Sequence, residues 1–479
     1  MARINTNVGA FIAQTNLAKS QRSLDQSLER LSSGMRINRG ADDPAGLIAS
    51  ETLRSEIQGI TQAIDNSTRA MNVIATAEGA LSEVANLLLS IKGLVVQAAN
   101  TGALSPDEIR ANQLQVDSAI ASITRISNST SFAGLKLLDG SLGYITSGVA
   151  TSALKDVRIQ NVSFGTAATI PVVVNVIQSA KTAELYFRAS SVTKTVTLEI
   201  AGRTGVEVLS FTSGTKASAI AFAINRVSDS TGVQAAMASA GNASSGIAFN
   251  SAGYGSREFV SVQVLGDASA FVTQSAAATI TQRATGQNAV ASINGAQAIG
   301  DGLNISLNTT ALSISMNLDT AFGIGTQSFT VTGGGAIFQL GPQVQTNQQV
   351  NIAIDSVSAS RLGSAIDGYL TDIVTGGRSS LVAGKAASAS KIIDQAINQV
   401  AVIRGRLGAF EKNTLQTNIS SLQVALENVT SSESSIRDTD FARETSALTR
   451  NQILVQAGTS VLAQANQTPQ TVLSLLGGR

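Results

Sequence analysis

The chain has 479 residues and a formal net charge of +1, and it contains no histidine, cysteine or tryptophan. These absences exclude disulfides, thiolate or imidazole metal ligands, and catalysis by Ser-His-Asp or Cys-His groups. The balanced charge makes nucleic acid and anionic membranes poor partners. Charged residues are only 14% of the chain, against about 25% in typical globular domains. This deficit favours a protein whose outer surface is largely buried in an assembly.

Two features bear on the membrane and on export. The sequence has no uninterrupted run of about 18 apolar residues, so we expect no transmembrane helix and no membrane insertion. Residues 1–16 also lack an apolar core of signal-peptide length. If the protein leaves the cell, we expect a route that uses no cleaved signal.

The first predicted helix carries a heptad row of leucines. Leu17, Leu24 and Leu31 are seven residues apart, and Leu28 lies four residues after Leu24 on the same face. A seven-residue repeat is typical of a helix that packs along another helix. A polar hinge follows at 32–43, where Asp43 is suited to cap a new helix and Pro44 to its first position. The sequence therefore predicts a helix, a hinge and a second helix.

The next segments are predicted to be helical, and they precede a turn. Apolar residues at three-, four- and seven-residue steps predict helices at 45–100 and 106–128. Asp139-Gly140 then lies between apolar runs, which suggests a hairpin. After about Gly165 the pattern changes to alternating strands such as 195–200 and 206–211, separated by Gly and Ser turns. We expect one or two inserted β-rich domains.

Helices return near the C-terminus. A long helix is predicted from Ser388, and 431–435 interrupt it. The last helix carries its own heptad row, Phe441, Leu448, Val455 and Leu462. The two ends thus mirror each other, and we expect them to pair. Each arm has few large apolar residues, so we expect the arms to stay largely disordered in the monomer and to order when copies pack.

Two strings point to a family. LERLSSGMRINRGADDPAGLIAS at 28–50 and SSESSIRDTDFARETSALTRNQILVQAGTSVLAQANQTPQTVLSLL at 431–476 closely resemble the terminal signatures of bacterial flagellin. The resemblance implies a secreted structural subunit that self-assembles into the helical, extracellular flagellar filament used for motility. It implies an α fold with a β-rich insert. The expected parts are a paired terminal coiled coil (1–40 and 440–479), a helical inner domain with a hairpin (41–165 and 335–439), and an outer surface domain (166–334).

The resemblance also implies partners. They are further copies of the chain, an export chaperone, and the cap and hook-junction proteins of the filament. The hairpin linked to filament shape switching is expected near 138–162. Two alternatives stay open: a hook–filament junction protein with the same terminal helices, and an outer domain that acts as a surface adhesin or immune ligand.

One patch concerns host recognition. Flagellins sensed by the matching Toll-like receptor use an exposed patch on the long inner helices, and the corresponding residues here are Ser90, Leu94, Gln97 and Gln115. Leu94 and Gln97 fit the family pattern, but Ser90 stands where arginine is typical and Gln115 where glutamate is typical. Gly93 likewise stands where an acid is typical. Because a bidentate guanidinium and two carboxylates are missing, we expect poor receptor activation.

No catalytic or cofactor site emerges from the sequence. Asp42 and Asp43 form a carboxylate pair, but they lie at a helix start and read as caps. Gly333–Gly335 lack the Lys-Ser/Thr of a phosphate loop and read as a turn. We therefore expect a structural protein that is not an enzyme and that has no cofactor.

Overall fold

The computed structural model describes residues 6–165, 167–239 and 246–477. The predicted terminal domain therefore extends at both ends beyond the described residues, at 1–5 and 478–479. Thr166, the predicted first residue of the outer domain, also lies outside them.

Three helices open the chain: α1 (Val8–Ser33), α2 (Pro44–Ala98) and α3 (Pro106–Ser129). Helix α1 ends at Gly34, whose φ of 72° is left-handed and costs glycine little. Helix α3 begins with a capping box in which Ser105 and Glu108 each bind the other's backbone N–H. The predicted helices at 45–100 and 106–128 are confirmed.

The central part of the chain is built from strands. Before the insert lie β1 (Ser131–Phe132), β2 (Leu135–Lys136), β3 (Tyr144–Ser147) and β4 (Leu154–Val162). Next come β5 (Ile170–Gln178), β6 (Thr182–Phe187), β7 (Val196–Gly202), β8 (Val206–Phe211), α4 (Ala217–Arg226), α5 (Ser228–Thr231), β9 (Val233–Met237), β10 (Ile247–Tyr254) and β11 (Phe259–Leu265).

The remaining strands lead back to helices. They are β12 (Arg283–Thr285), β13 (Val290–Ile293), β14 (Ala296–Gln297), β15 (Ile299–Asp301), β16 (Asn304–Asn308), β17 (Leu312–Leu318), β18 (Gly325–Gly334), β19 (Ala336–Gln339), β20 (Gln349–Ile352), β21 (Gly363–Ser364) and β22 (Gly368–Tyr369). The last helices are α6 (Ala386–Phe410), a π-helical turn (Glu411–Gln416), α7 (Thr417–Arg437) and α8 (Phe441–Gly477). The interruption predicted at 431–435 is wrong, because α7 continues through these residues to Arg437.

The chain forms two compact units. The first comprises residues up to 68 and from 415 onward, with the short segment 339–344. In this unit Asn418 of α7 donates from Nδ2 to the Leu340 carbonyl at 2.8 Å and to Ser67 Oγ at 3.2 Å. The segment also lies close to α2, because a Cβ placed on Gly59 would lie 3.1 Å from the Pro342 carbonyl oxygen.

The second unit, 69–338 and 345–414, holds a helical core and two β cores. The helical core is lined by residues spaced as the sequence predicts, including Ile74, Leu81 and Leu88 of α2, Val116 and Ile123 of α3, and Ile392, Val400 and Leu407 of α6. Lys92 binds Asp394 across two of these helices at 2.7 Å. Gln113 of α3 is buried and donates to the Ile373 carbonyl at 2.8 Å while accepting from Leu381 N at 2.7 Å. The spacing of apolar residues along the helices thus becomes the packing of the helical core.

The inserted strands enclose two hydrophobic cores. The first lies with the sheets β14-β13-β5-β18-β3 and β15-β16-β17-β4. The second lies with β6-β10-β9, β12-β11-β7-β8 and helix α4. Because the second core comes between β5 and β13 in the chain, it is an insertion within the first.

The hairpin expected near 138–162 does not form. β3 pairs with β18, and β4 pairs with β17, so two strands adjacent in sequence belong to different sheets. The tight turn lies earlier, at Ala133 (φ 49°) and Gly134 (φ 85°) between β1 and β2. Asp139 instead accepts a hydrogen bond from Ser141 N at 2.9 Å, a local turn that needs no paired strands.

Helix α2 is long and apolar enough to cross a membrane by length and composition alone. Its sequence contains no uninterrupted run of about 18 apolar residues, so no membrane span was predicted there. In the fold, Ile74, Leu81 and Leu88 of this helix are buried inside the protein. Core helices of globular proteins pass the same test, so α2 is weak support for a membrane span.

We expect that the second β core can be destabilised without destabilising the helical core. Replacing the fully buried Phe249 by alanine (Phe249→Ala) removes a large side chain from this core, and we expect a loss of about 3–5 kcal/mol in unfolding free energy. Hydrogen exchange should accelerate at 182–285 and stay unchanged in α2 and α6. Val208→Ala on the exposed face of β8 is the control, and equal acceleration in the helices would contradict two separate cores.

Candidate assembly site in the paired chain ends

Helices α1 and α8 pack along each other in opposite directions. Asn7 Nδ2 donates to the Ala465 carbonyl at 2.7 Å, near the start of α1. At the far end of α1, Asn451 Nδ2 lies 3.4 Å from Ser27 Oγ, and Arg30 lies 3.8 Å from Glu444. Because residue numbers fall along one helix as they rise along the other, the pair is antiparallel. The expected pairing of the two ends is thus present in the fold.

Most of the heptad leucines lie half-buried along this pair. Six of the eight predicted assembly residues are half-buried, namely Leu17, Leu24, Leu31, Leu448, Val455 and Leu462. The other two are exposed: Leu28 by 49% and Phe441 by 56%. Leu28 was placed on this face by its four-residue step from Leu24, and such a step marks a broad face rather than the seam itself. Phe441 is the first residue of α8.

Small residues in the seam were missed by the sequence reasoning. Ala13 and Ser27 are buried on α1, and a Cβ on Gly458 of α8 would lie 3.2 Å from Leu17 Cδ1. Ala13 and Ser27 stand fourteen residues apart, between the leucine positions. They could have been found as the second apolar position of the heptad, where small side chains let the helices approach closely.

The pair leaves much of its apolar surface uncovered. On α1, Phe11 and Ile12 are exposed, by 68% and 57%, and on α8 Ile453, Leu454 and Val461 are exposed as well. Monomeric proteins rarely leave apolar side chains clustered at the surface, and such clusters typically mark interaction sites. The surface of the paired ends therefore suits packing against further helices.

A clasp joins the two hinges that lead into the terminal helices. Met35 and Asp438 form an antiparallel bridge, flanked by Arg36 N donating to the Arg437 carbonyl at 2.7 Å. The Arg437 guanidinium also binds Glu51 of α2 at 2.9 Å. Hydrogen bonds from Arg437 and Arg54 hold the pKa of the Glu51 carboxyl below its usual value. The clasp fixes where both arms begin.

In this hinge, the carboxylates of Asp42 and Asp43 cap backbone N–H groups. Asp43 Oδ1 accepts from Gly46 N at 2.9 Å, which confirms the predicted N-cap of α2. Asp42 Oδ2 accepts from Arg39 N at 2.9 Å and from Asn38 N at 3.2 Å, and chiefly the bond from Arg39 lowers the pKa of its carboxyl. Within the described residues, no group of three or more Asp or Glu side chains could hold a metal ion.

The residues of the predicted receptor patch lie on two helices. Ser90, Leu94 and Gln97 belong to α2 and Gln115 belongs to α3. Ser90, Gln97 and Gln115 are exposed and Leu94 is half-buried. The Ser90 hydroxyl donates to the Asn86 carbonyl of its own helix at 3.0 Å. These side chains offer neither a guanidinium nor a carboxylate to a partner.

Paired ends with an uncovered apolar surface, long inner helices and a β-rich insert are features of a self-assembling structural protein. Matches to models of protein families identify the family to which this structural protein belongs. Residues 4–142 match the bacterial flagellin N-terminal helical region, 390–476 the bacterial flagellin C-terminal helical region, and 197–253 the flagellin hook IN motif. The last match falls in the second β core.

Full-length relatives agree with these matches. The chain is 30% identical to a flagellin of Salmonella rubislaw over 505 aligned positions, and 32% identical to the B-type flagellin of Pseudomonas aeruginosa over 515. In both comparisons 99% of each chain is covered. The protein therefore belongs to the bacterial flagellin family: it is a secreted structural subunit of the helical, extracellular flagellar filament. This also confirms the fold class predicted from the sequence.

Solved structures show more distant similarities. The flagellar cap protein FliD of Escherichia coli, domains D2–D3, is 22% identical over 40% of this chain and 98% of its own, with a TM-score of 0.29. FliC of Burkholderia pseudomallei is 15% identical over 73% of this chain and 99% of its own, with a TM-score of 0.24.

The close approach at Gly458 should be sensitive to side-chain size. Gly458→Leu puts a branched side chain against Leu17, so the helices must separate, at a cost of about 1–3 kcal/mol. We expect filament yield from purified protein to fall severalfold in a sedimentation assay. Gln464→Leu, at an exposed position of the same helix, is the matched control, and equal yields from the two variants would argue against the tight seam.

Proposed function

We propose that the paired ends polymerise the protein, with Leu17, Leu24, Leu28 and Leu31 of α1 and Phe441, Leu448, Val455 and Leu462 of α8 forming the core of the filament. The observation that carries this proposal is the apolar surface that the isolated pair leaves exposed. A single pair buries little for the entropy it loses on ordering, whereas many packed copies bury both faces. Contacts repeated head to tail without closing a ring give a helical filament.

The same reasoning assigns the remaining parts. The terminal arms 1–40 and 440–479 form the filament core, the long helices at 44–100 and 388–429 make lateral contacts between subunits, and the β-rich insert at 166–334 faces solvent. Leu28 and Phe441, exposed in the single chain, become buried only against neighbouring copies. The protein acts by assembly alone, without catalysis, a cofactor or membrane insertion.

The proposal includes the partners of the filament pathway. An export chaperone covers the exposed apolar side chains of the C-terminal arm before assembly, since Ile453, Leu454 and Val461 would otherwise favour premature aggregation. The filament grows beneath a cap protein and is joined to the hook by junction proteins. The matches to flagellins along the whole chain favour a filament subunit over a junction protein.

Ordering of the arms should depend on polymerisation. We expect rapid backbone hydrogen exchange at 8–33 and 441–468 in the monomer, and protection of at least a hundredfold in filaments. The second β core should exchange equally slowly in both states. Strong protection of both arms in the monomer would contradict assembly-coupled ordering.

The exposed apolar side chains of α8 should control assembly. Leu454→Gln keeps helix propensity but removes apolar area that neighbouring copies would bury. Electron microscopy should show few or short filaments, while circular dichroism of the monomer stays unchanged. Val206→Gln, which replaces another exposed apolar side chain on β8, should leave long filaments, and normal filaments from Leu454→Gln would count against the proposed core.

Host recognition by the α2 and α3 patch is proposed to be weak. Ser90 and Gln115 present small or neutral side chains where the receptor of strongly stimulatory flagellins meets an arginine and a glutamate. Neutral contacts of this kind are weaker than charge-assisted pairs. A receptor reporter assay with potency equal to that of strongly stimulatory flagellins would overturn this proposal.

A further inference from the structure

A short hairpin lies between the helical core and the β4 sheet of the second unit. It consists of β21 and β22, and residues 361–369 are called the bracket below. On the helical side, Gln399 of α6 exchanges two hydrogen bonds with Gly363: Gly363 N donates to Gln399 Oε1 at 3.0 Å, and Gln399 Nε2 donates to the Gly363 carbonyl at 2.5 Å. The bracket is thus tied to the helical core by an amide side chain that reaches it from α6.

On the sheet side, Asp156 and Arg158 of β4 hold the bracket. Asp156 of β4 accepts from the Tyr369 hydroxyl at 2.6 Å and from Ala365 N at 2.6 Å. It also accepts from Asn317 Nδ2 of β17 at 3.1 Å. Arg158, two residues along β4, donates to the carbonyls of Arg361 and Gly363, both at 3.2 Å. Two charged side chains of one strand therefore hold both ends of the bracket.

The backbone at each contact is specialised. Asp156 has a φ of 49° and lies at an irregularity in the β4–β17 register, a conformation that turns its side chain out of the regular alternation. In the bracket, Gly363 has a φ of 124°, and a Cβ there would collide with the Gly368 carbonyl oxygen. Only glycine fits this position, so the bracket has a fixed shape.

The β-rich insert has another attachment at its covalent neck. There Gly335 N donates to the Gly143 carbonyl at 3.2 Å, and Asn351 Nδ2 donates to the Gly334 carbonyl at 3.0 Å. Gly333, Gly334 and Gly335 all have positive φ, a backbone conformation that other residues rarely adopt. This neck holds the insert at one place.

We propose that the bracket is a second attachment, held by Asp156, that fixes the orientation of the first β core relative to the helices α2 and α6. Two attachments at separate places remove the rotation that one allows. In a filament that turns in fluid, the load on the insert then passes to the helices through both. Asp156 is a positioning residue in this arrangement, because it orients the insert without taking part in the assembly contacts.

The chemistry of the contact suits a permanent rather than a switchable tie. Burial and the hydrogen bond to Asp156 raise the pKa of Tyr369 to about 12, so its hydroxyl remains a donor through the ordinary pH range. The charged groups around it are Asp156 and Arg158 of β4, Arg361 of the bracket, and Asp372, which accepts from Tyr369 N. Arg158 and Arg361 act in the opposite sense and favour the phenolate.

The proposal can be tested by distance measurement, because the chain contains no cysteine. Spin labels on Glu83→Cys of α2 and Thr310→Cys of the β16–β17 turn, both exposed, report on the helices and on the first β core. Full-length protein should give a narrow distribution of label distances. Asp156→Ala removes the acceptor of three hydrogen bonds, and the distribution should become at least twice as wide.

A neighbouring pair provides the matched control. Asp319 forms an ion pair with Lys155, the residue before Asp156, and both lie within the first β core. Asp319→Ala should leave the distance distribution narrow. Tyr369→Phe, which removes one hydrogen bond and keeps the ring, should widen it less than Asp156→Ala and serves if the latter variant fails to fold. An unchanged width in the folded Asp156→Ala or Tyr369→Phe protein would overturn the proposal.

Filament formation separates this inference from the proposed function. Asp156→Ala should still polymerise, because the paired ends are intact, and negative-stain images should show filaments of normal length with blurred outer density. Alkaline titration gives an independent check. Because the folded pKa of Tyr369 lies above the ordinary value of about 10, its stabilising contribution is complete below pH 10 and is lost as the pH rises towards 12. Tyr369→Phe should remove that part of the pH dependence.

Discussion

The proposed assembly of this flagellin depends on the antiparallel contact between α1 and α8. The contact joins residues more than 400 positions apart, as between Asn7 and Ala465. It uses small side chains at the seam and leaves larger ones outside. A pair built in this way is a poor closed core but a good repeating unit, since the uncovered apolar surface is satisfied only by more copies.

The hinge clasp gives that contact a fixed origin. The bridge between Met35 and Asp438, the ion pair of Arg437 with Glu51, and the caps made by Asp42 and Asp43 lie at the base of the arms. Each is a modest interaction alone, because solvent screens exposed ion pairs and each cap satisfies only one or two backbone N–H groups. Together they determine the point at which both arms begin, so that arms of neighbouring subunits can meet in the same way.

The insert differs from the paired ends in how it buries its apolar side chains. Its two cores are closed, with Phe249 and Leu198 fully buried, and they need no second copy to satisfy them. The second core is inserted between β5 and β13 of the first. A domain with a closed hydrophobic core can face solvent, whereas the helical ends need further copies to bury their apolar surface. The contrast in burial between Phe249 and Leu454 reflects this division.

The sequence by itself determined the helices, the hinge, the β-rich centre and the family, because heptad spacing, caps and two long terminal signatures are local features of the chain. Tertiary structure alone decided which strands pair. β3 and β4 are neighbours in sequence, yet β3 joins β18 and β4 joins β17, whose paired residues lie 150 to 190 positions away. It also decided that Leu28 faces outward while Ser27 is buried, and that Asp156 meets Tyr369. Such contacts depend on distant partners and on small rotations of a helix, which a repeat in the sequence does not specify.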